Sequence, residues 1–410
     1  MEPEDTYAIA VLRALDEQPR TPSRVDLFQA ISIGRRRRRV RRLLQAGTAA
    51  VVTAVAVASV PLVVSAVAKP DRQIDPVTSK SATPTPSPRP DHVVPQPIPP
   101  KTCYVQRLPV PGGHPMSLVT GGDPTGRFIV GRAYPEAQLG DYPLIIWDNG
   151  KGRTVKMPGM DQAFRDITST GVAVGTTYGT TSEGGRAPYV FRNGVLSKLA
   201  GVASGGADAI NEAGVIAGSR DLPDRSIPVR WRSATEPAED LPLPGKTWSG
   251  EAIAIGEDGT ILGKVGQTRD AEQGYVWRPD GTTQLLPKPS GTSTFRPFDM
   301  NGDWVTGLGE SGNGQLTPVL YNLRTGRFTR WSATGAIPSA VNAVGWVVGS
   351  TNDGRAFLSS SGGMRMLPDL NNHKSPTANH AKTISDDGRT IAGQGDDAKG
   401  VIQAVVWRCR

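Results

Sequence analysis

Short apolar runs bounded by glycines recur along most of the chain from Gly126 onward. Each unit has a turn ending in Gly, three or four mostly apolar residues, and a second Gly. The copies are Gly126–Gly131, Gly171–Gly175, Gly214–Gly218, Gly259–Gly263, Gly302–Gly307, Gly345–Gly349 and Gly388–Gly393. The second glycines lie 44, 43, 45, 44, 42 and 44 residues apart, a regularity that marks an internal repeat.

Each copy carries four strand signals. A short run such as Ala209-Ile210-Asn211 precedes the turn, and the Gly-bounded apolar run follows it. A third run ends in an aromatic residue: Trp147, Phe191, Trp231, Trp277, Tyr321, Phe357 or Trp407. The fourth follows a second tight turn and often closes on an apolar residue and Pro, as in Met157-Pro158, Leu241-Pro242, Leu286-Pro287 and Leu367-Pro368. Asp and Asn in the turns bond back to the backbone, while Gly accepts positive φ. Four antiparallel strands per unit of this length predict a β-propeller blade, so the fold class is all-β with seven blades over 102–410. A four-stranded sheet cannot bury both faces alone, so the blades must pack on one another and the ring must close. The repeated aromatics are then packing residues between blades.

The seventh copy stops at Trp407-Arg408-Cys409-Arg410 and lacks a fourth strand. A matching piece, with Leu108-Pro109 and the following Gly112, stands at the other end of the domain, starting at Cys103. This N-terminal strand is expected to complete blade 7. The only two cysteines, Cys103 and Cys409, would then lie on adjacent strands. A disulfide there suits an extracytoplasmic domain; the alternative is a pair of free thiols.

The run from Ala209 to Gly218, Ala-Ile-Asn-Glu-Ala-Gly-Val-Ile-Ala-Gly, resembles the repeat of bacterial extracellular HAF-repeat proteins, and Val341–Gly345 matches it in part. The His-Ala-Phe that names that repeat is absent; Arg355-Ala356-Phe357 and Gln403-Ala404-Val405 are its nearest forms. The resemblance covers about 300 residues and implies an exported propeller-like repeat domain with no particular activity.

Charge changes the picture upstream. The chain has a net charge of +8, but residues 1–42 carry ten Arg against six acids, and 102–410 carry only two more bases than acids. Arg35, Arg36, Arg37, Arg38, Arg39, Arg41 and Arg42 form a tight cluster. Directly after it, Leu43–Ala68 gives 26 residues without a charge. A helix of that length rises about 39 Å, enough to span a lipid bilayer core of roughly 30 Å. Arginines on one flank and a single Lys69 on the other place 1–42 in the cytoplasm and the C-terminal domain outside the cell membrane. Ala66-Val67-Ala68 has the form of a signal-peptide cleavage site, which is the rival reading. The 42 residues before the apolar run, and the length of the run, favour an anchor. Residues 69–101 are proline-rich and read as a semi-rigid stalk. With the excess charge assigned to membrane orientation and stalk, a nucleic-acid partner is not expected.

Function would sit on loops held by the rigid ring. Alternating strands put the tight Gly turns at one end. The longer second-to-third loops and the crossings between blades lie at the other. Candidate ligand contacts are Tyr134, Tyr142, Tyr178, Arg220, Arg225 and Arg269 from the loops, with Phe164, Trp248, Phe295 and His380 from the crossings. Aromatics mixed with Arg suit an extracellular protein or glycan. The competing role for Phe164, Trp248 and Phe295 is to cover blade junctions. Asp258, Asp386 and Asp387 follow turn chemistry and show no calcium-loop spacing. His92, His114, His373 and His380 form no metal spacing, and no nucleophile elbow or phosphate loop is present, so neither metal nor cofactor is implied.

These features make a membrane-anchored binding module the leading expectation. Two alternatives accompany it. One is a propeller hydrolase or lyase, whose paired carboxylates would meet only in three dimensions. The other is a transmembrane regulator. Residues 1–34, with an amphipathic pattern over Thr6–Gln18, would dock a cytoplasmic protein. Such an arm resembles those of actinobacterial single-pass membrane proteins, some of which regulate sigma factors.

Overall fold

The computed structural model describes residues 97–135, 141–180, 185–268, 272–330, 335–370 and 379–410. The arginine cluster, the expected membrane span and most of the stalk lie outside these residues, as does Arg269. Among the described residues no helix is long and apolar enough to cross a membrane.

The repeat folds as seven four-stranded antiparallel sheets. The first strands of blades 1–7 are Met116–Gly122, Met160–Ile167, Gly205–Ile210, Ser249–Ile255, Thr294–Asn301, Ala336–Val341 and His380–Ile384. Neighbouring first strands contact one another around the whole ring, the first with the last included, and together they line a central channel. Apolar cores fill the spaces between blades. The side chains of blades 1 and 2 form one cluster, and those of blades 6 and 7 another.

Blade 7 closes as expected. Its order runs from Cys103–Arg107 through Ile402–Cys409 and Thr390–Asp396 to the inner His380–Ile384. The N-terminal strand pairs antiparallel with the last, Cys103 opposite Cys409, and the two sulfurs are bonded. Lys101 and Thr102 donate their amides to the Arg410 carbonyl, so the ring is fastened from Lys101 onward.

The repeat motif has a physical cause. In every blade the pairing of first and second strands slips by one residue, leaving a bulge in the first strand. The second glycine of each copy faces that bulge. A Cβ on Gly131 would stand 2.1 Å from the Leu118 carbonyl oxygen, and one on Gly393 would stand 1.9 Å from that of His380. The other five meet the equivalent carbonyl at 2.0–2.4 Å. These glycines admit the bulged inner strand, whereas the first glycines hold turns at positive φ.

The aromatics and the apolar-Pro ends form a latch between blades. All seven aromatics are buried. Trp147, Trp277 and Trp407 donate their indole N–H to the carbonyls of Pro109, Pro242 and Pro368, each from the fourth-strand end of the preceding blade. Trp231 does the same to Ala200. The residues before those acceptors, such as Leu108, Leu199, Leu241 and Leu367, are buried against the junction.

Candidate functional site

Two features of the ring carry unusual chemistry: the end that bears the second-to-third loops, and the channel. At the loop-bearing end, Arg132 follows the repeat glycine Gly131 at the close of a second strand. Its guanidinium lies over the rings of Tyr134 and Tyr142, 5.0 and 4.7 Å from their centroids, and the two rings are 4.5 Å apart. It also donates to the Tyr134 hydroxyl at 2.7 Å and to Asp161 of blade 2 at 2.6 Å. Burial raises the Tyr134 phenol above its usual range, against the lowering effect of Arg132.

Asp161 has a φ of 49°, and its neighbour Met160 pairs with Tyr178. Met160 and Tyr178 are 56% and 40% exposed, so two large apolar groups stand side by side next to the Arg–Tyr cluster. Gln162 holds the base of this platform. It is buried, accepts from the Tyr142 amide at 2.9 Å, and donates to Asp141 and to the carbonyls of Met157 and Gly159. A backbone in a sparsely populated region, pinned by a buried amide, presents a pre-shaped surface.

The structure separates the other expected contacts. Arg220 is tied to Asp240, and Arg225 lies 3.6 Å from Asp224. They flank a second polar patch, where Arg186 grips Asp221 with two hydrogen bonds of 2.9 and 2.6 Å. Trp248 is half-buried against the junction of blades 3 and 4. Phe164 and Phe295 do not reach the surface. Both are fully buried, because they sit on inner strands at positions that point into the blade junction. Phe164 packs near Phe191, and Phe295 packs edge-on to Phe328. For these two the junction role holds. His380 is likewise no crossing residue; it opens the inner strand of blade 7 and lines the channel.

The channel encloses about 790 Å³. The seven bulged residues Thr120, Arg165, Asp208, Ile253, Phe298, Ser339 and Lys382 occur at equivalent positions and all line it. Sequence reasoning missed this ring. Its signal was the residue two places before the end of each pre-turn run, as Asp208 precedes Ala209-Ile210.

Charge is concentrated here. Asp166 and Asp299, one step past their bulges, accept the amides of Ile210 and Val341 from the next blade, both at 2.9 Å. Although their side chains touch channel space, the surrounding protein desolvates them. Burial pushes Asp166 up to about 7 and Asp299 up to about 6. Asp208 is pushed up to about 6, again by burial, with Arg165 4.0 Å away opposing the shift. Glu251 pairs with Lys264 at 3.3 Å.

Ser339 and Ser350 bracket the His380 ring, at 2.9 Å from Nε2 and 3.0 Å from Nδ1. Burial holds this imidazole down at about 4, with Lys382 adding to the effect. At neutral pH it is an uncharged, weak base. The trio works as a polar clasp between blades 6 and 7 better than as an activated nucleophile.

At the turn-bearing end the side chains serve the turns themselves. Asp258 takes the amide and hydroxyl of Thr260, and Asp387 takes the Ser385 hydroxyl and the Arg389 amide. Asp386 accepts from Ala343 of blade 6 and from Asn301 of blade 5, which draws these turns together over the channel.

Comparison with solved structures supports the architecture. The chain is similar to the β-propeller domain of the Trilobed protease from Pyrococcus furiosus, at 9% identity and a TM-score of 0.51, covering 71% of this chain and 95% of that one. That domain is described as having an open velcro topology, whereas here the first and last strands pair and are disulfide-bonded. A prolyl endopeptidase structure is similar at 10% identity and a TM-score of 0.50, covering 72% of this chain and half of the peptidase. No protein-family model and no curated protein matches the sequence. The likeness is one of fold.

Proposed function

We propose that this chain is a single-pass, membrane-anchored protein whose extracytoplasmic propeller binds a protein or glycan ligand at its loop-bearing end. The observation that carries the reading is the platform at blades 1 and 2. There exposed Met160 and Tyr178 adjoin the Arg132–Tyr134–Tyr142 stack on a backbone held by buried Gln162. Aromatic and Arg groups on a rigid base dominate binding energy at interfaces. The arginine-flanked apolar run supports the anchor, and the Cys103–Cys409 bond suits an oxidising compartment. The likeness to the exported HAF-repeat proteins points the same way.

The test uses the full chain in lipid nanodiscs, screened against protein and glycan arrays, beside the double variant Met160→Ala and Tyr178→Ala. Ligands bound by the wild type should lose about tenfold or more in affinity in the variant, with an unchanged melting temperature. Equal affinities in both proteins would remove the platform from the function. A hydrolytic activity abolished by Asp208→Asn would favour the hydrolase alternative instead.

A further inference from the structure

The seven bulge positions form one level of the channel, and their chemistry is unevenly divided. Blades 7, 1 and 2 contribute Lys382, Thr120 and Arg165 in succession. Blades 4 and 5 contribute Ile253 and Phe298. One arc carries two cations with Thr120 between them, and the facing arc is apolar.

The polar arc is under-used by the protein itself. Lys382 makes no hydrogen bond or ion pair among the described residues, and its ammonium feels Arg165 and Lys264 as repelling neighbours. Asp299, the carboxylate that attracts it, is already engaged by the Val341 amide. Among the described residues Arg165 has only Asp208, at the 4.0 Å limit of an ion pair, and its side chain is half exposed to the channel. The Thr120 hydroxyl between them has no hydrogen-bond partner among the described residues, but it is shielded from channel solvent and so offers a channel ligand nothing. An anion between Lys382 and Arg165 would relieve their mutual repulsion.

We propose that this ring binds the free C-terminal carboxylate of a peptide, with Lys382 and Arg165 on the carboxylate and Ile253 and Phe298 against an apolar terminal side chain. A carboxylate matches a pair of cations that flank one position of the ring. The apolar arc opposite gives the terminal residue a place, which a bare inorganic anion would not use. Approach is from the loop-bearing end, because the turns of blades 5, 6 and 7 are bonded together at the other. The inference rests on the reading of the domain as a binding module and extends it from the rim into the channel.

Fluorescein-labelled Gly-Gly-Ala-Phe, as the free acid and as the C-terminal amide, tests it by fluorescence anisotropy with the full chain in detergent. The acid should bind at least about tenfold more tightly than the amide, about 1.4 kcal/mol. Lys382→Met should erase that difference. Lys382 lines the channel and makes no hydrogen bond or ion pair among the described residues, so the variant should melt close to the wild type. Phe298→Ala should weaken the Phe-terminated acid several-fold while leaving an Ala-terminated acid unchanged. Acid and amide binding alike, no binding of the acid at about 1 mM, or Lys382→Met binding as the wild type would each overturn the proposal. The acid–amide comparison reads only the channel. Its failure is therefore distinct from failure of the platform, which the Met160 and Tyr178 variant reads.

Discussion

The hairpin of first and second strands is built the same way in all seven blades, while the loop-bearing end is different in each. The hairpin repeats a bulge, a facing glycine and a turn glycine, because closing the ring needs the same geometry each time. At the loop-bearing end blade 1 offers a Tyr–Tyr–Arg stack, blade 2 an exposed Met–Tyr pair, and the junction of blades 2 and 3 an Arg–Asp fork. Repetition marks what the fold requires, and departure from it marks where the surface is free to serve a ligand. Changes to the repeated part should therefore act on stability, and changes to the unrepeated part on binding.

The sharpest break in that comparison is Gly393→Ala. The new Cβ would fall 1.9 Å from the His380 carbonyl oxygen, and backbone on both strands would have to move. We predict a loss of about 3 kcal/mol or more by denaturant unfolding. Gly281→Ala is the control. It sits in a turn at a φ of 84° with open space around it, so only the left-handed strain of about 1 kcal/mol applies. Equal losses at the two sites would mean that the bulge does not explain the repeat.

Next in size is the seam of the ring. The Cys103–Cys409 bond closes a segment with a sequence separation of 306. Chain entropy sets a ceiling of about 5–6 kcal/mol for a loop of that length, and measured disulfides mostly give about 2–4. The double variant Cys103→Ser and Cys409→Ser should lower stability within that range, and proteolysis should open the molecule first at blade 7. If cleavage starts in another blade, the seam is not the weak point.

How much of this was legible beforehand follows from what repeats. The blade count, the closing strand and the Cys103–Cys409 pairing could be read because each leaves a spaced mark in the chain. Phe164 and Phe295 were misplaced because strand polarity decides whether an aromatic beside a crossing points outward or into the junction, and a one-residue bulge reverses it. The channel trio of Lys382, Thr120 and Arg165 was missed, since Lys382 stands 262 residues from Thr120 and the three share no residue type, so only their common place before the turn marks them. Arg132 lay inside a loop already singled out, but its role depends on Asp161 from the next blade.

A smaller effect tests the latch between blades. Trp407→Phe keeps most of the packing but removes the indole N–H donated to the Pro368 carbonyl at 2.8 Å. The orphaned acceptor and lost bond should cost about 1–2 kcal/mol. Blade 6 ends in Phe357 and has no such donor, so Phe357→Leu should show only its packing loss. A Trp407→Phe variant as stable as the wild type would reduce the latch to packing alone.

The smallest predicted effect is the pH response of the channel, where the groups that face one another titrate in opposite senses. Asp166, Asp208 and Asp299 have folded values raised to about 7, 6 and 6 by burial. The folded state therefore takes up protons that the unfolded state does not, and the stability these groups allow is present at low pH and lost as pH rises through those values. His380, held down at about 4, works the other way. Its contribution is present above its ordinary value of 6.5 and lost as pH falls toward 4. Burial lowers Lys382 as well, below its ordinary range. Between pH 7.5 and 5.5 three carboxyls outweigh one imidazole, and the melting temperature should rise on acidification by about 2 °C. Asp166→Asn loses one of two accepted amide bonds, which lowers stability at every pH. What it should change specifically is the slope above pH 6, which flattens because the highest-titrating group is gone, whereas His380→Gln should steepen the slope below pH 6.5. A wild-type melting temperature that falls steadily from pH 7.5 to 5.5 would show that the channel carboxyls are ionised and solvated, and that the repeated interior is more open than its bonding suggests.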